Sequence, residues 1–153
     1  MLFVVFQLGT DQYAVEAAKV SEILPFVEIS TIHGAPAGLA GLFAYRGQTV
    51  PAIDLGVLII GRPAPVRFST RIILTETVTA RGRSWLGMIA EQTTKILQLE
   101  PEGFSQSNFA SMGSPYLGPI ARTPHGLIRR IDLGPLIAFA GQEFGQAGAL
   151  EAS

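Results

Sequence analysis

The chain has no cysteine, only two histidines, and charged side chains at just 15% of its 153 residues. Without cysteine there is no disulfide framework, which fits a reducing compartment, and two of the commonest chemistries, thiolate attack and thiolate metal binding, are excluded. The histidines, His33 and His125, each stand next to glycine in a loop, and neither has a second histidine at metal-ligand spacing. A serine nucleophile would lack its base, and a zinc site would have to be assembled from distant carboxylates. Turn positions explain both histidines. No Walker loop or dinucleotide fingerprint occurs, and the carboxylates Glu22, Glu28, Glu76, Glu91 and Asp54 suggest no particular acid/base pair. Nothing here calls for a cofactor or a metal, and the expectation is a protein that is not an enzyme.

Charge and hydropathy exclude other classes. A net charge of −1 is far from the basic surface that sequence-independent nucleic-acid binding needs. Arg81, Arg83 and Trp85 form a small basic and aromatic patch, best read as a hairpin tip. The apolar run Val57 to Ile60 is closed by Gly56 and Gly61, well short of the roughly 20 residues of a spanning helix. The opening MLFVVFQLGTD has no basic region and is interrupted by Gln7 and Gly9, unlike a signal peptide. A soluble, cytoplasmic protein is expected. What the chain has in quantity is apolar residues, 48%, and arginine, nine of its eleven basic residues. So apolar a chain suits a partner that covers part of it, and the arginine bias fits a protein interface and a GC-rich genome equally.

The chain also repeats itself. Gly41 to Leu55, GLFAYRGQTVPAIDL, returns in degenerate form as Gly118 to Leu133, GPIARTPHGLIRRIDL, and Tyr13 to Leu24 lines up without gaps on Leu86 to Leu97. Short apolar runs bounded by turns predict strands at Leu2 to Leu8, Gln12 to Glu16, Leu39 to Tyr45, Thr49 to Ile53, Arg71 to Val78, Ser84 to Ala90, Tyr116 to Ala121 and Leu127 to Ile131. Asp54 and Asp132 precede apolar runs, where each would cap a helix start. Residues 61–69, GRPAPVRFS, read as the linker between repeats, and 141–153 as a flexible tail. The fold expected is mainly β: two tandem small barrels in one domain, about 10–66 and 67–140, around a shared apolar core, with the N-terminal strand a candidate for sharing.

Where the repeats differ, function has room. Tyr45-Arg46-Gly47 gives way to Thr123-Pro124-His125-Gly126. Glycine alone would satisfy the first turn, so Arg46 is a candidate for donating to a partner's carboxylate or carbonyl. At this point the chain resembles the CheW adaptor family, through Phe6-Gln7-Leu8 with Tyr13-Ala14-Val15, Val20 to Leu24, Gly41 to Gly47, Val50 to Leu55, Leu86 to Ile89 and Ile131 to Leu133. The resemblance implies two five-stranded SH3-like barrels. It also implies a non-enzymatic scaffold joining the cytoplasmic hairpin tip of a chemoreceptor to the regulatory domain of a CheA-type histidine kinase. Partner contact would fall on Val20, Glu22, Ile23, Gly41, Tyr45, Arg46, Gly47, Gly87 and Thr93. No nucleic acid and no membrane insertion are implied, and a pathway for twitching, surface sensing or development stays open beside swimming.

Overall fold

The computed structural model describes the backbone of residues 1–79, 82–105 and 114–151, and the side chains of these except 79, 93, 94 and 143–151. Its elements run β1 Leu2–Leu8, β2 Asp11–Glu16, β3 Glu22–Pro25, β4 Leu39–Tyr45, β5 Gln48–Asp54, β6 Arg71–Thr79, β7 Gly82–Gln98, β8 Phe104–Ser105, β9 Leu117–Thr123, β10 Gly126–Ile131 and α1 Leu133–Glu151. All eight expected strands are present. The structure adds β3, β8 and a second half of β7, and residues 141–151, expected as a loose tail, continue α1.

The pairing cuts across the expected boundary near residue 66. One sheet joins β3, β6, the first half of β7, β5 and β4. The other joins the second half of β7, β1, β2, β10, β9 and β8. Each sheet thus takes the opening hairpin of one repeat and the later strands of the other. The symmetry is kept in detail: β5 runs parallel to β7 as β10 runs parallel to β2. In each sheet the segment that follows the crossing strand turns back to pair, Ser30 with Leu42 in the first and β8 with β9 in the second. This arrangement is compatible with the two small barrels expected.

The transfer of β7 between sheets has a local cause. Gln92 lies at φ 46°, and the β1 register slips between Val5 and Gln7, so the strand kinks as in a bulge. Glu91 Oε2 accepts from the Gly9 amide at 3.0 Å, tying the kink to the β1–β2 turn.

Apolar residues sort by strand face into three clusters. Val4, Phe6, Leu8, Tyr13 and Val15 of one sheet meet Ile53, Ile73, Leu86 and Met88 of the other, and α1 adds Leu136. Phe43, Tyr45, Val50, Ala52, Ile72, Leu74 and Ile89 fill the first sheet, while Phe3, Val5, Ala14 and Ile128 fill the second. Strands buried on both faces explain why β1 reads as a continuous apolar run rather than an alternation. The shared core is real, and one half alone would leave it open.

The two aspartates behave differently. Buried Asp54 accepts from the amides of Gly56 at 2.8 Å and Val57 at 3.3 Å, and from Ala64 at 3.1 Å, holding the π-helical turn Gly56–Ile60 and the following loop together. Burial still pushes its carboxyl above the ordinary range, more than these amides lower it. The capping expected of Asp132 is not what its carboxylate does: it pairs with Arg130 at 2.8 Å. Pro135, standing where Val57 stands in the first copy, has no N–H to donate.

Candidate functional site

The hairpin β4–β5 closes with Tyr45 opposite Gln48, leaving Arg46-Gly47 as a two-residue turn. Both lie at positive φ, 47° and 77°, the signature of a type I′ turn. Glycine therefore does not satisfy this turn alone. The first position favours asparagine, aspartate or glycine, and an arginine held there costs about 1 kcal/mol of backbone strain.

Three neighbours prepare it. Glu22 opens β3, and its Oε2 accepts from the Tyr45 hydroxyl at 2.5 Å while lying 3.9 Å from the Arg46 guanidinium. The guanidinium carbon sits 5.2 Å from the Tyr45 ring centroid. Trp85 of β7 meets the same ring edge-on at 5.5 Å. Tyr45 is otherwise packed into the first sheet's core, so the platform beneath the arginine is fixed. The Glu22 hydrogen bond, with partial burial behind it, raises the Tyr45 hydroxyl above its ordinary value. The Arg46 side chain remains 74% exposed, so the ion pair adds little stability and mainly orients the fork. Its other donors face solvent, ready for a partner's carboxylate or carbonyl oxygen.

The structure places the remaining candidates elsewhere. Val20 and Ile23 are half-buried against the core between the sheets. Gly41 is buried at φ 150°, and a Cβ there would lie 2.1 Å from the Ser30 carbonyl oxygen, so this glycine permits the bridge to Ser30. Gly87 is also buried, with a would-be Cβ 2.6 Å from the Phe43 ring. Packing accounts for both glycines. The Thr93 side chain lies outside the described residues, as does Arg81. Trp85 belongs to the site although the sequence suggested only a hairpin tip, and Arg83 is paired with Glu76 at 3.0 Å. Their common strand with Gly87 was the available signal.

His125 sits in the β9–β10 turn, where its amide donates to Thr123 Oγ1 at 3.0 Å. Among the described residues no three histidine, aspartate or glutamate side chains group as metal ligands. Nor is any described helix long and apolar enough to cross a membrane.

Two sheets that exchange hairpins around a common core, with a braced arginine on an exposed turn, define a mainly β protein. The pattern of the CheW-like domain matches residues 2–140, and the chain belongs to that family. It is similar to the chemotaxis protein CheW of Klebsiella aerogenes, 24% identical over 138 residues that make up 89% of this chain and 81% of that protein. The chemotaxis protein CheW of Treponema pallidum is 26% identical over 127 residues, covering 83% and 72%. The crystal structure of the scaffolding protein TtCheW from Thermoanaerobacter tengcongensis superposes with a TM-score of 0.76 at 22% identity, over 86% of this chain and 84% of that one.

Proposed function

We propose that this protein is a non-enzymatic adaptor of the cytoplasm that joins a chemoreceptor's hairpin tip to the regulatory domain of a CheA-type histidine kinase, and that the turn Tyr45-Arg46-Gly47 with Glu22 is its kinase-binding surface. One observation carries the assignment of the surface: Arg46 is held in a left-handed turn conformation that disfavours it, and is braced by Glu22 over Tyr45. Val20 and Ile23, packed against the core between the sheets, and the buried Gly41 and Gly87 are not part of this surface. Membership of the CheW-like family supports the adaptor role and the absence of catalysis. The mechanism is bivalency, in which two weak contacts combine once both partners share one assembly.

The test is Arg46→Glu. Reversing the charge removes charge-assisted hydrogen bonds and opposes the partner's acceptor, a loss of about 2 kcal/mol or more at a desolvated contact. Calorimetry with the cognate kinase regulatory domain is expected to show binding weakened at least tenfold, with the fold intact by circular dichroism. Unchanged affinity would remove Arg46 from the interface.

A further inference from the structure

The two copies of the repeat differ at more than their hairpin tips. Tyr13 to Leu24 lines up on Leu86 to Leu97, so Lys95 stands where Glu22 stands in the first copy, and Gln12 stands where Trp85 does. The hairpin registers agree: Gln7 faces Gln12 as Glu76 faces Trp85. At this corner the second copy thus loses two acids and an indole and gains a cation. The first copy's corner is filled and neutralised. Trp85 lies against Tyr45, Glu22 accepts from the Tyr45 hydroxyl, and Glu76 pairs with Arg83. The second copy's corner is open: Gln7, Gln12, Gln92 and Lys95, with the buried Val5 and Phe6, line a cavity of about 40 Å³.

The kink in β7 makes this room and holds it. Gln7 pairs with Glu91 and Val5 with Lys95, so residues 92–94 of β7 stand opposite Phe6 alone. The Gln92 backbone amide donates to the Ser69 carbonyl at 2.9 Å, and the Gly9 amide holds the Glu91 carboxylate at 3.0 Å. Gln12 Nε2 donates to the His125 carbonyl at 2.7 Å, which ties that wall to the β9–β10 turn. What the cavity presents is one positive charge and neutral amides. Lys95 makes no ion pair with a described residue, the Gln7 side chain bonds none, and no carboxylate lines the space.

Charge and size together select a ligand. A single water needs roughly 10–15 Å³ on this scale, so the cavity has room for about three or four heavy atoms. The Lys95 ammonium balances one negative charge, the glutamine amides can donate to its oxygens, and Val5 and Phe6 offer carbon. We propose that this cavity binds a small monocarboxylate of the acetate class, its oxygens on Lys95, Gln7 and Gln92 and its methyl toward Val5 and Phe6, with Gln12 as the fixed wall. Inorganic phosphate, with more atoms and more charge than one ammonium balances, fits it less well. The site lies in the opposite copy of the repeat from Arg46 and does not rest on the adaptor reading.

The test is a titration of the isotope-labelled full-length protein with sodium acetate, followed by nuclear magnetic resonance at constant ionic strength, with sodium chloride and sodium phosphate as parallel arms. Acetate is expected to shift the side-chain amide signals of Gln7, Gln12 and Gln92 along a saturable curve, with phosphate at least fivefold weaker and chloride without saturation. Lys95→Gln should weaken acetate at least fivefold, while Lys95→Arg, which keeps the charge, should stay within threefold of wild type. Gln12→Trp, which restores the first copy's residue, should fill the cavity and abolish the acetate shifts. The Lys95 variants keep the test decisive if that larger side chain disturbs the fold. The proposal is overturned if acetate gives no saturable shift at these amides, if chloride reproduces it, if phosphate binds as tightly, or if Lys95→Gln binds acetate within twofold of wild type.

Discussion

The turns at the tips of β4–β5 and β9–β10 occupy matching places in the repeat, yet they are closed in opposite ways. Pro124 and His125 both avoid positive φ, and the reversal is taken up by Gly126 at 103°. Thr123 Oγ1 accepts from the His125 amide and donates to the Gly126 carbonyl at 2.9 Å, and Gln12 Nε2 donates to the His125 carbonyl at 2.7 Å. That turn is relaxed and tied by its own side chains. The Arg46-Gly47 turn has both residues at positive φ, and its side chains reach Glu22 instead of its own backbone. The first tip retains a conformational cost that the second, with the same ancestry in sequence, has shed. A cost kept in one copy only is what the proposed contact surface at the first tip would account for.

The largest expected effect separates the glycines that open the two hairpins. Gly41→Ala would drive a Cβ into the Ser30 carbonyl at positive φ, whereas Gly118→Ala meets the Asp132 carboxylate at 2.9 Å, the movable end of a side chain, and the Arg130 carbonyl only at 3.2 Å. Gly41→Ala should cost about 3 kcal/mol or more and leave little soluble protein, and Gly118→Ala about 1 kcal/mol. Equal losses by chemical denaturation would show that the sheets close alike.

Next come the aspartates. Asp54→Ala strands the buried Gly56 amide and the part-buried amides of Val57 and Ala64 and should cost about 2 kcal/mol, while Asp132→Ala removes a half-exposed ion pair worth under about 1 kcal/mol. Denaturant midpoints of the two variants check this directly.

A smaller effect sits on the tip itself. Tyr45 titrates above its ordinary value of 10.0 because its hydroxyl donates to Glu22. Since the folded state holds this proton more tightly, Tyr45 contributes stability below pH 10 that is lost as pH rises through its folded value. Glu22→Gln should bring the phenol's ultraviolet titration down toward 10, and Tyr45→Phe should blunt the alkaline loss of stability. No counterpart is expected at the β9–β10 tip, where Thr123 stands at the position matching Tyr45.

Much of this was legible in the sequence because the repeat keeps its apolar pattern: eight strands and the shared core follow from runs such as Leu39 to Tyr45, and the family from its resemblance in motifs such as Gly41 to Gly47. The exchange of hairpins was not. Glu22–Pro25 and the second half of β7 are short or polar and become strands through partners far along the chain, β6 and β1. Local pattern carries no record of such pairing. At the site, Arg46 stood out as a polar residue on an apolar hairpin, but Trp85 joined it through packing, and Gly41 and Gly87 left the surface because a missing Cβ looks the same in sequence whether it serves a core or a partner. The strain at Arg46 was invisible for a similar reason: Arg-Gly fits several turn types, and the two-residue register selects the one that needs both angles positive.

The most direct test of the account is Arg46→Asn, measured for stability and kinase binding on the same sample, with His125→Asn as the control. Asparagine suits the first position of a type I′ turn, so relief of the strain should raise the stability of Arg46→Asn by about 0.5–1 kcal/mol, with no gain for His125→Asn. The more stable Arg46→Asn protein should bind the kinase regulatory domain at least tenfold more weakly, and His125→Asn should bind it as wild type does. An Arg46→Asn variant that gains stability and keeps full affinity, or that loses stability, would contradict the claim that this turn bears strain for the sake of its arginine.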